Sequence, residues 1–127
     1  MDEFRDDDVL YRRLLPYFIK EDGTVSSAAY MRSKPPPKAP DPEISVDLAQ
    51  LTTPDQTLAG HPGFGLGAIK IGELRKLGFT VRRDPIPGNE AHCLIEGVKT
   101  KQDCKLLAEI TELYMAPAPD ESKGVSG

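Results

Sequence analysis

The sequence predicts a single α+β domain with a small mixed, mostly antiparallel sheet and two to three helices. Three observations support this prediction. The 127 residues are 39% hydrophobic and 28% charged, which suits one hydrophobic core. Strand-like segments come first along the chain. Strands and helices then mix without a repeat. We place the domain at residues 9–114, between an acidic flexible leader (1–8) and a tail (115–127) whose composition is typical of disorder.

The first predicted strand is residues 9–15, an apolar and β-rich run that an arginine pair interrupts. Pro16 disfavours helix immediately before it, because the residue preceding a proline is pushed toward extended geometry. Asp22 and Gly23 predict a turn. We expect a second extended segment at residues 24–31, whose small side chains allow another element to pack closely.

A proline-rich segment follows at residues 33–42. Its composition favours polyproline II, and we predict an exposed surface loop. The alternative is a ligand for the groove of another protein. Residues 43–50 then alternate apolar and polar side chains, which predicts a half-buried strand. The side chains expected on its apolar face are Ile44, Val46 and Leu48.

Two helices are predicted from their end signals. The first begins at Thr53 as the N-cap, with Pro54 at the first helical position, and it ends by Gly60. The second lies within residues 68–79 and ends at Gly78, a typical C-terminal signal.

Two further strands and a third helix complete the domain. The strands are residues 79–85 and 90–98, joined by a proline-rich turn. The helix begins after Thr100, and Asp103 three residues later supports that cap. Its side chains repeat at helical spacing and form one apolar stripe for the core. This stripe is Leu106, Leu107, Ile110, Leu113 and Tyr114.

The charge distribution argues against a nucleic-acid partner. The first eight residues hold five acids against one base and so account for the whole net charge of −4. The remaining chain is balanced, with fifteen acidic and fifteen basic residues, and it lacks the basic stripe that nucleic acid calls for. A folded basic patch stays open as an alternative, because bases occur in pairs at Arg12-Arg13, Arg75-Lys76 and Arg82-Arg83.

The absence of membrane, secretory and disulfide signals from the sequence indicates the cellular compartment. No apolar run is long enough to cross a bilayer, and the acidic N-terminus differs from the basic start of a secretory signal. Two cysteines provide neither a disulfide framework nor a four-ligand zinc site. We therefore expect a cytoplasmic protein with no membrane partner, no metal site and no cofactor.

Reactive side chains cluster on the strand around His92. In an extended segment Cys93 faces the apolar side, where it is best explained as a small core residue. His92 and Glu96 share the opposite face, but their Cα atoms lie about 13 Å apart, so a direct hydrogen bond is not expected. His92 remains a candidate functional residue that acts with another strand.

A glycine motif invites a dinucleotide-binding interpretation. Gly63, Gly65 and Ala68 fit the pattern G-x-G-x-x-[GA], which in that class follows a strand and opens a helix. Here a helix end and a turn precede it, so packing or a flexible bend explains the glycines better. We expect His61, which lies in that turn, to be exposed.

The arginine pair on the first strand leaves two alternatives open. A strand arginine is costly to bury unless it is paired. In one alternative, either Arg12 or Arg13 faces solvent while the other binds Asp47 or a backbone carbonyl. In the second, one of them binds an anionic group such as a phosphate through its planar guanidinium fork. We favour the first.

The ordered segments LYRR, SSAAY, SVD, TTPDQTL, GFGLGAI and AHCLIEGVKTK resemble a family of small bacterial proteins of unassigned function. The resemblance covers roughly residues 9–114 and implies one compact domain of bacterial type. It carries no catalytic residues over to this chain.

LYRR followed by GTVSSAAY is also similar in order to RES-type and other small ADP-ribosyltransferase-like toxins. These toxins hold NAD with an arginine on an early strand and a serine on the next. The resemblance implies that Arg12 or Arg13 is the NAD-binding arginine and that Ser26 or Ser27 is the NAD-binding serine. Glu96 is the only candidate for the catalytic acidic residue. The glycine–arginine–aromatic pattern that precedes the second strand in these toxins is absent here.

The sequence thus favours a small module that binds a partner protein, and operon-encoded components of bacterial conflict, defence or toxin–antitoxin systems are modules of this kind. Such a module needs an exposed apolar patch or a free sheet edge. The alternative is a small NAD-using or phosphate-binding enzyme. That enzyme requires an arginine of the first strand, Ser26 or Ser27, and His92 to converge in one concave pocket.

Overall fold

One antiparallel sheet of six strands, in the order β4-β5-β2-β1-β3-β6, organises the part of the chain described by this computed structural model, residues 4–31 and 39–117. The strands are β1 (Val9–Leu14), β2 (Ile44–Leu48), β3 (Gly65–Lys70), β4 (Thr80–Arg83), β5 (His92–Glu96) and β6 (Glu112–Met115). The α-helices are α1 (Pro54–Leu58), α2 (Ile71–Lys76) and α3 (Lys101–Glu109). Short 3-10 helices lie at Pro16–Phe18, Ser27–Tyr30 and Ala49–Leu51. The predicted α+β class is confirmed.

The core lies on one face of the sheet, which we call the core face. Helices α2 and α3 and the 3-10 helix Ser27–Tyr30 cover it, and their apolar side chains join those of the strands in one buried cluster. The alternation predicted for β2 is confirmed, because its three apolar side chains are all in this cluster. The largest fully buried apolar side chains of this cluster are Tyr30, Leu10, Leu14, Ile44, Ile69, Ile71, Leu74 and Leu107.

The start of α3 has the predicted cap. The Thr100 hydroxyl accepts the Asp103 backbone N–H at 3.0 Å. The Asp103 carboxylate in turn accepts the backbone N–H groups of Lys99 and Thr100, at 2.9 and 3.1 Å. This capping box satisfies donors that a helix N-terminus would otherwise leave unpaired.

The opposite face of the sheet, which we call the second face, is covered only in part. Helix α1 contacts β1 and β3 and lies over one end of this face. Its predicted cap is confirmed, because the Thr53 hydroxyl accepts the backbone N–H of Gln56 at 3.2 Å. At the other end, Val9, Tyr11 and Ala68 line an open cavity.

The extended segment predicted at residues 24–31 is wrong for Ser27–Tyr30, which form a 3-10 helix. The Ser26 hydroxyl accepts the backbone N–H of Ala28 at 3.2 Å and so caps this helix. The expectation of close packing is confirmed, because α3 packs against the small side chains here. The Cys104 thiol donates to the Tyr30 carbonyl at 3.3 Å.

Strand β3 was not predicted, because its glycines indicated a bend. It pairs with all six residues of β1 and has β6 on its other side. A Cβ atom at Gly67 would lie 2.7 Å from the Thr111 side chain, so the absence of a side chain permits the close approach of Thr111. This segment is a strand inside an antiparallel sheet and Gly65 is closely packed by Ile19 and Met115, which agrees with the packing explanation preferred to dinucleotide binding.

The apolar stripe predicted for α3 extends too far. The helix ends at Glu109, and the Thr111 hydroxyl donates to the Leu107 carbonyl at 2.7 Å, which pairs one of the last helical carbonyls. The chain then turns into β6, so Leu113 and Tyr114 belong to a strand.

The predicted domain start at residue 9 excludes residues that pack onto the domain. Phe4 is buried in the core cluster. The backbone carbonyls of Asp6 and Asp8 accept the N–H groups of Gly72 and Ile71, at the start of α2. The Arg75 guanidinium donates to the Asp6 carboxylate at 2.7 Å. The proline-rich loop lies mostly outside the described residues, as does the tail beyond Pro117.

Candidate functional site

A cavity of about 280 Å³, here called the arginine cavity, lies on the second face beside α1. Strands β1 and β2 form the polar floor of this cavity. The two strands pair at only two positions and separate beyond Tyr11. Helix α1 and the loop after it supply the rim. The side chains that matter for its chemistry are Arg12, Arg13, Asp47, Thr57, His61 and Phe64.

Arg12 fills the gap where the two strands separate. Its Nη1 donates to the Ser45 carbonyl of β2 and its Nη2 to the Ala29 carbonyl, both at 2.7 Å. The guanidinium lies 5.2 Å from the ring centre of Tyr30, a favourable cation–π distance. Its Nε is buried and has no hydrogen-bond partner among the described residues. Burial lowers the pKa of Arg12 below its usual value, because the charged form loses its hydration.

Arg13 lies on the second face and makes one side-chain hydrogen bond among the described residues. Its Nη1 donates to the Thr57 carbonyl of α1 at 3.2 Å. Arg12 therefore binds backbone carbonyls, as predicted for one of the two arginines, while Arg13 is half-buried, lines the cavity and also donates to a carbonyl. Arg13 also lines a second, more polar cavity of about 420 Å³ that extends toward Asn89.

Asp47 is buried between these two cavities. Its Oδ2 accepts the Thr57 hydroxyl at 3.0 Å and its Oδ1 accepts the Asn89 amide at 2.9 Å. Only 5% of Asp47 is exposed, so its charge relies on these neutral donors. Of the two partners predicted for an arginine, Asp47 or a carbonyl, only the carbonyl is observed, because neither Arg12 nor Arg13 forms an ion pair with any described carboxylate.

His61 is half-buried rather than exposed, and it lines the arginine cavity. Its ring packs edge-on against Phe64, with the ring centres 5.2 Å apart. Burial, and secondarily the positive charge of Arg13, lower the pKa of His61 below 6.5. Sequence reasoning missed this residue because its contacts depend on the turn that precedes β3.

The remaining predicted site residues do not line the arginine cavity. Ser26 caps its own 3-10 helix and Ser27 begins it. The His92 Nδ1 lies 2.9 Å from the Asp84 carbonyl and 3.1 Å from the Asp84 carboxylate. Glu96 accepts from the Arg82 Nε at 3.2 Å and lies with it on the β4–β5 side of the sheet.

A second surface, which we call the tyrosine face, occupies the open end of the second face. Tyr11 of β1 and Tyr114 of β6 pack with ring centres 5.7 Å apart. Tyr114 is 57% exposed and Met115 is 37% exposed. A cavity of about 340 Å³ beside the ring pair continues this surface, and its lining includes Val9, Ala49, Ala68, Lys70 and Glu112.

Neither surface brings together the ligands of a metal ion. Within residues 4–31 and 39–117, no three side chains of His, Cys, Asp or Glu are grouped so that they could hold one. Cys93 and Cys104 are both buried and unbridged, and burial raises the pKa of the Cys104 thiol. In the same ranges, no helix has the length and apolar character needed to span a bilayer.

The chain matches no family model, no curated protein and no solved structure. Its resemblance to the small bacterial family and to the ADP-ribosyltransferase-like toxins therefore remains a prediction. The two surfaces described above have to be interpreted from their own geometry.

Proposed function

We propose that this protein is a binding module that recognises an extended segment of a partner protein at strand β6 and the tyrosine face. The observation that carries the proposal is the position of Tyr114, more than half exposed on an edge strand and packed on Tyr11. Tyrosine is enriched in protein interfaces because its ring gives a large contact area at a low entropic cost.

The two edges of the sheet differ in a way that favours β6 as the binding edge. The other edge strand, β4, carries Arg82, which lies within 3.2 Å of Glu96 and 3.7 Å of Asp84. Charged side chains of this kind discourage a further strand from pairing. Strand β6 has the sequence ELYM and pairs with β3 on one side only among the described residues.

An added strand would make two kinds of contact with this edge. Its backbone would pair with the outer N–H and C=O groups of β6, which gives affinity without regard to sequence. Its alternate side chains would then cover the tyrosine face, and apolar ones would fit the cavity beside Tyr11 and Ala68. We therefore propose an extended partner segment with apolar side chains at alternate positions.

The test compares Tyr114→Ala with the matched control Tyr17→Ala. Tyr17 is even more exposed, at 74%, but it lies in the 3-10 helix Pro16–Phe18, outside the tyrosine face. With a partner captured by the wild-type protein, we expect Tyr114→Ala to weaken binding at least about tenfold and Tyr17→Ala to leave it unchanged. Hydrogen exchange should slow at residues 112–115 in the complex. Equal binding by both variants, or no added protection there, would contradict the proposal.

The enzymatic alternative lacks its required assembly. It needs Ser26 or Ser27 and His92 beside an arginine of β1, and the lining of the arginine cavity includes none of these three side chains. We therefore propose no reaction for this protein, and a role in conflict or defence stays a prediction from the sequence.

A further inference from the structure

We infer that the arginine cavity is a binding site for a small oxyanion, a phosphate or carboxylate group that carries a short apolar part. This inference goes beyond the proposed function and does not depend on it. The arginine cavity lies beside α1 and the tyrosine face lies along β6, so either proposal can fail alone.

The arginine cavity carries a net positive charge. Two guanidinium groups and one carboxylate line it, which leaves one positive charge in excess while His61 is neutral. The carboxylate of Asp47 binds Thr57 and Asn89 through its two oxygens and pairs with neither arginine. Removing one cation from water without a counter-ion is costly, so an anion in the cavity would relieve an existing electrostatic penalty.

Hydrogen-bond donors remain available in the arginine cavity. Arg13 uses one N–H group for the Thr57 carbonyl, and its other donors have no partner among the described residues. Arg12 uses Nη1 and Nη2 for carbonyls and its unpaired Nε is fully buried in the described chain, so the donors within reach of a ligand are those of Arg13. A planar guanidinium suits the oxygen pairs of phosphate and carboxylate groups, and such charge-assisted bonds are among the strongest hydrogen bonds.

The side chains of the site are already held in place without a ligand. Two short hydrogen bonds and the Tyr30 ring hold Arg12 in place. Arg13 is held by its bond to α1. Because these side chains are already ordered, binding costs little additional side-chain entropy.

The apolar wall sets the size of the ligand. Leu15, Phe18 and Phe64 line the cavity together with the arginines. Its volume of about 280 Å³ is close to the lower end of small-molecule sites, which begin at roughly 300 Å³. A ligand with one oxyanion and one small apolar group fits both the charge and the space.

Phenyl phosphate is a suitable probe, and isothermal titration calorimetry is the measurement. We expect saturable binding that Arg13→Gln weakens at least about tenfold through the loss of a charge-assisted contact. Arg82→Gln is the matched control and should bind as the wild type does, because Arg82 lies on β4 at the sheet edge. Benzyl alcohol should not bind, since it has the ring without the charge. Competition by inorganic phosphate or by benzoate distinguishes a phosphate site from a carboxylate site.

His61 provides a second readout that does not require a variant of Arg13. The titratable or charged groups that share the cavity with it are Tyr11, Arg12 and Arg13 from β1 and Asp47 from β2. A bound oxyanion offsets the charge of Arg13, so the pKa of the His61 ring should rise when phenyl phosphate is added. NMR titration of the ring protons, assigned with His61→Gln, measures this change. No calorimetric binding, equal binding by Arg13→Gln, or an unchanged His61 pKa would overturn the inference.

Discussion

The two faces of the sheet are built on different principles. On the core face, apolar side chains from the strands meet those of α2 and α3, and most of them are fully buried. On the second face, a buried polar group at Asp47 lies near α1, and an exposed ring pair lies at the open end. Burial explains the side chains of the core face. The second face keeps polar and exposed groups that stability alone does not require, and the two proposed binding surfaces lie there.

The largest effect should come from truncation on the core face. Leu107 of α3 is fully buried, so Leu107→Ala should lower the free energy of unfolding by about 2–5 kcal/mol through lost burial and a cavity. Tyr114→Ala on the second face should change it by no more than about 1 kcal/mol, because the ring is more than half exposed and loses mainly its packing on Tyr11. Urea denaturation of both variants checks this difference. Similar losses in the two variants would remove the distinction between the faces.

Substitutions of the two arginines of β1 should lower the free energy of unfolding by intermediate and unequal amounts. Arg12→Met removes the donors of the Ala29 and Ser45 carbonyls and should cost about 1.5–3 kcal/mol. Arg13→Met loses one longer bond to the Thr57 carbonyl and should cost less than about 1 kcal/mol. Thermal and urea unfolding measure both. If Arg13→Met proved as destabilising as Arg12→Met, Arg13 would be a structural residue and not an available donor.

The smallest effect concerns the cap of α3 and appears as a pH dependence. Hydrogen bonds from Lys99 and Thr100 hold the pKa of Asp103 below 3.8. A folded-state pKa below the unfolded one stabilises the protein above the unfolded value, and this contribution is lost as the pH falls through the folded pKa. Asp103→Asn should therefore be less stable than the wild type at pH 7, with a difference that shrinks toward pH 3. Urea titrations across this range test it, and a difference that did not change with pH would contradict the assigned cause.

Elements with strong local signals could be predicted from the sequence. Strand β2 has a clear alternation, and α1 and α3 have side-chain caps that act within three residues. Strand β3 was missed because glycine weakens the local preference for a strand, and the reason for Gly67 is its contact with Thr111, distant in sequence. The end of α3 was missed for a related reason, since the apolar periodicity continued past Thr111 while the backbone did not.

The candidate sites were less predictable than the fold. Arg12 and Arg13 were identified as candidates, but a sequence cannot tell which of two neighbours bridges a gap between strands. The bonds of Asp47 to Thr57 and Asn89 join residues 10 and 42 positions apart, and nothing local indicates the second of them. Tyr114 was assigned to the core because a helix would have turned it inward. Its exposure follows only from the pairing of β6 with β3.

The bond between the Tyr30 and Thr111 hydroxyls, 2.6 Å long, joins residues 81 positions apart. In the fold it ties the 3-10 helix Ser27–Tyr30 to Thr111, which lies against Gly67 of β3. Pairings between such distant segments form slowly, because the entropy cost of closing the long loop between them comes before the contact stabilises the chain. Until then, the apolar side of β1 and β3 has no cover from α3. We therefore expect the apolar side chains of β1 and β3 to stay accessible, for example to a chaperone, until the segment around Thr111 has joined them.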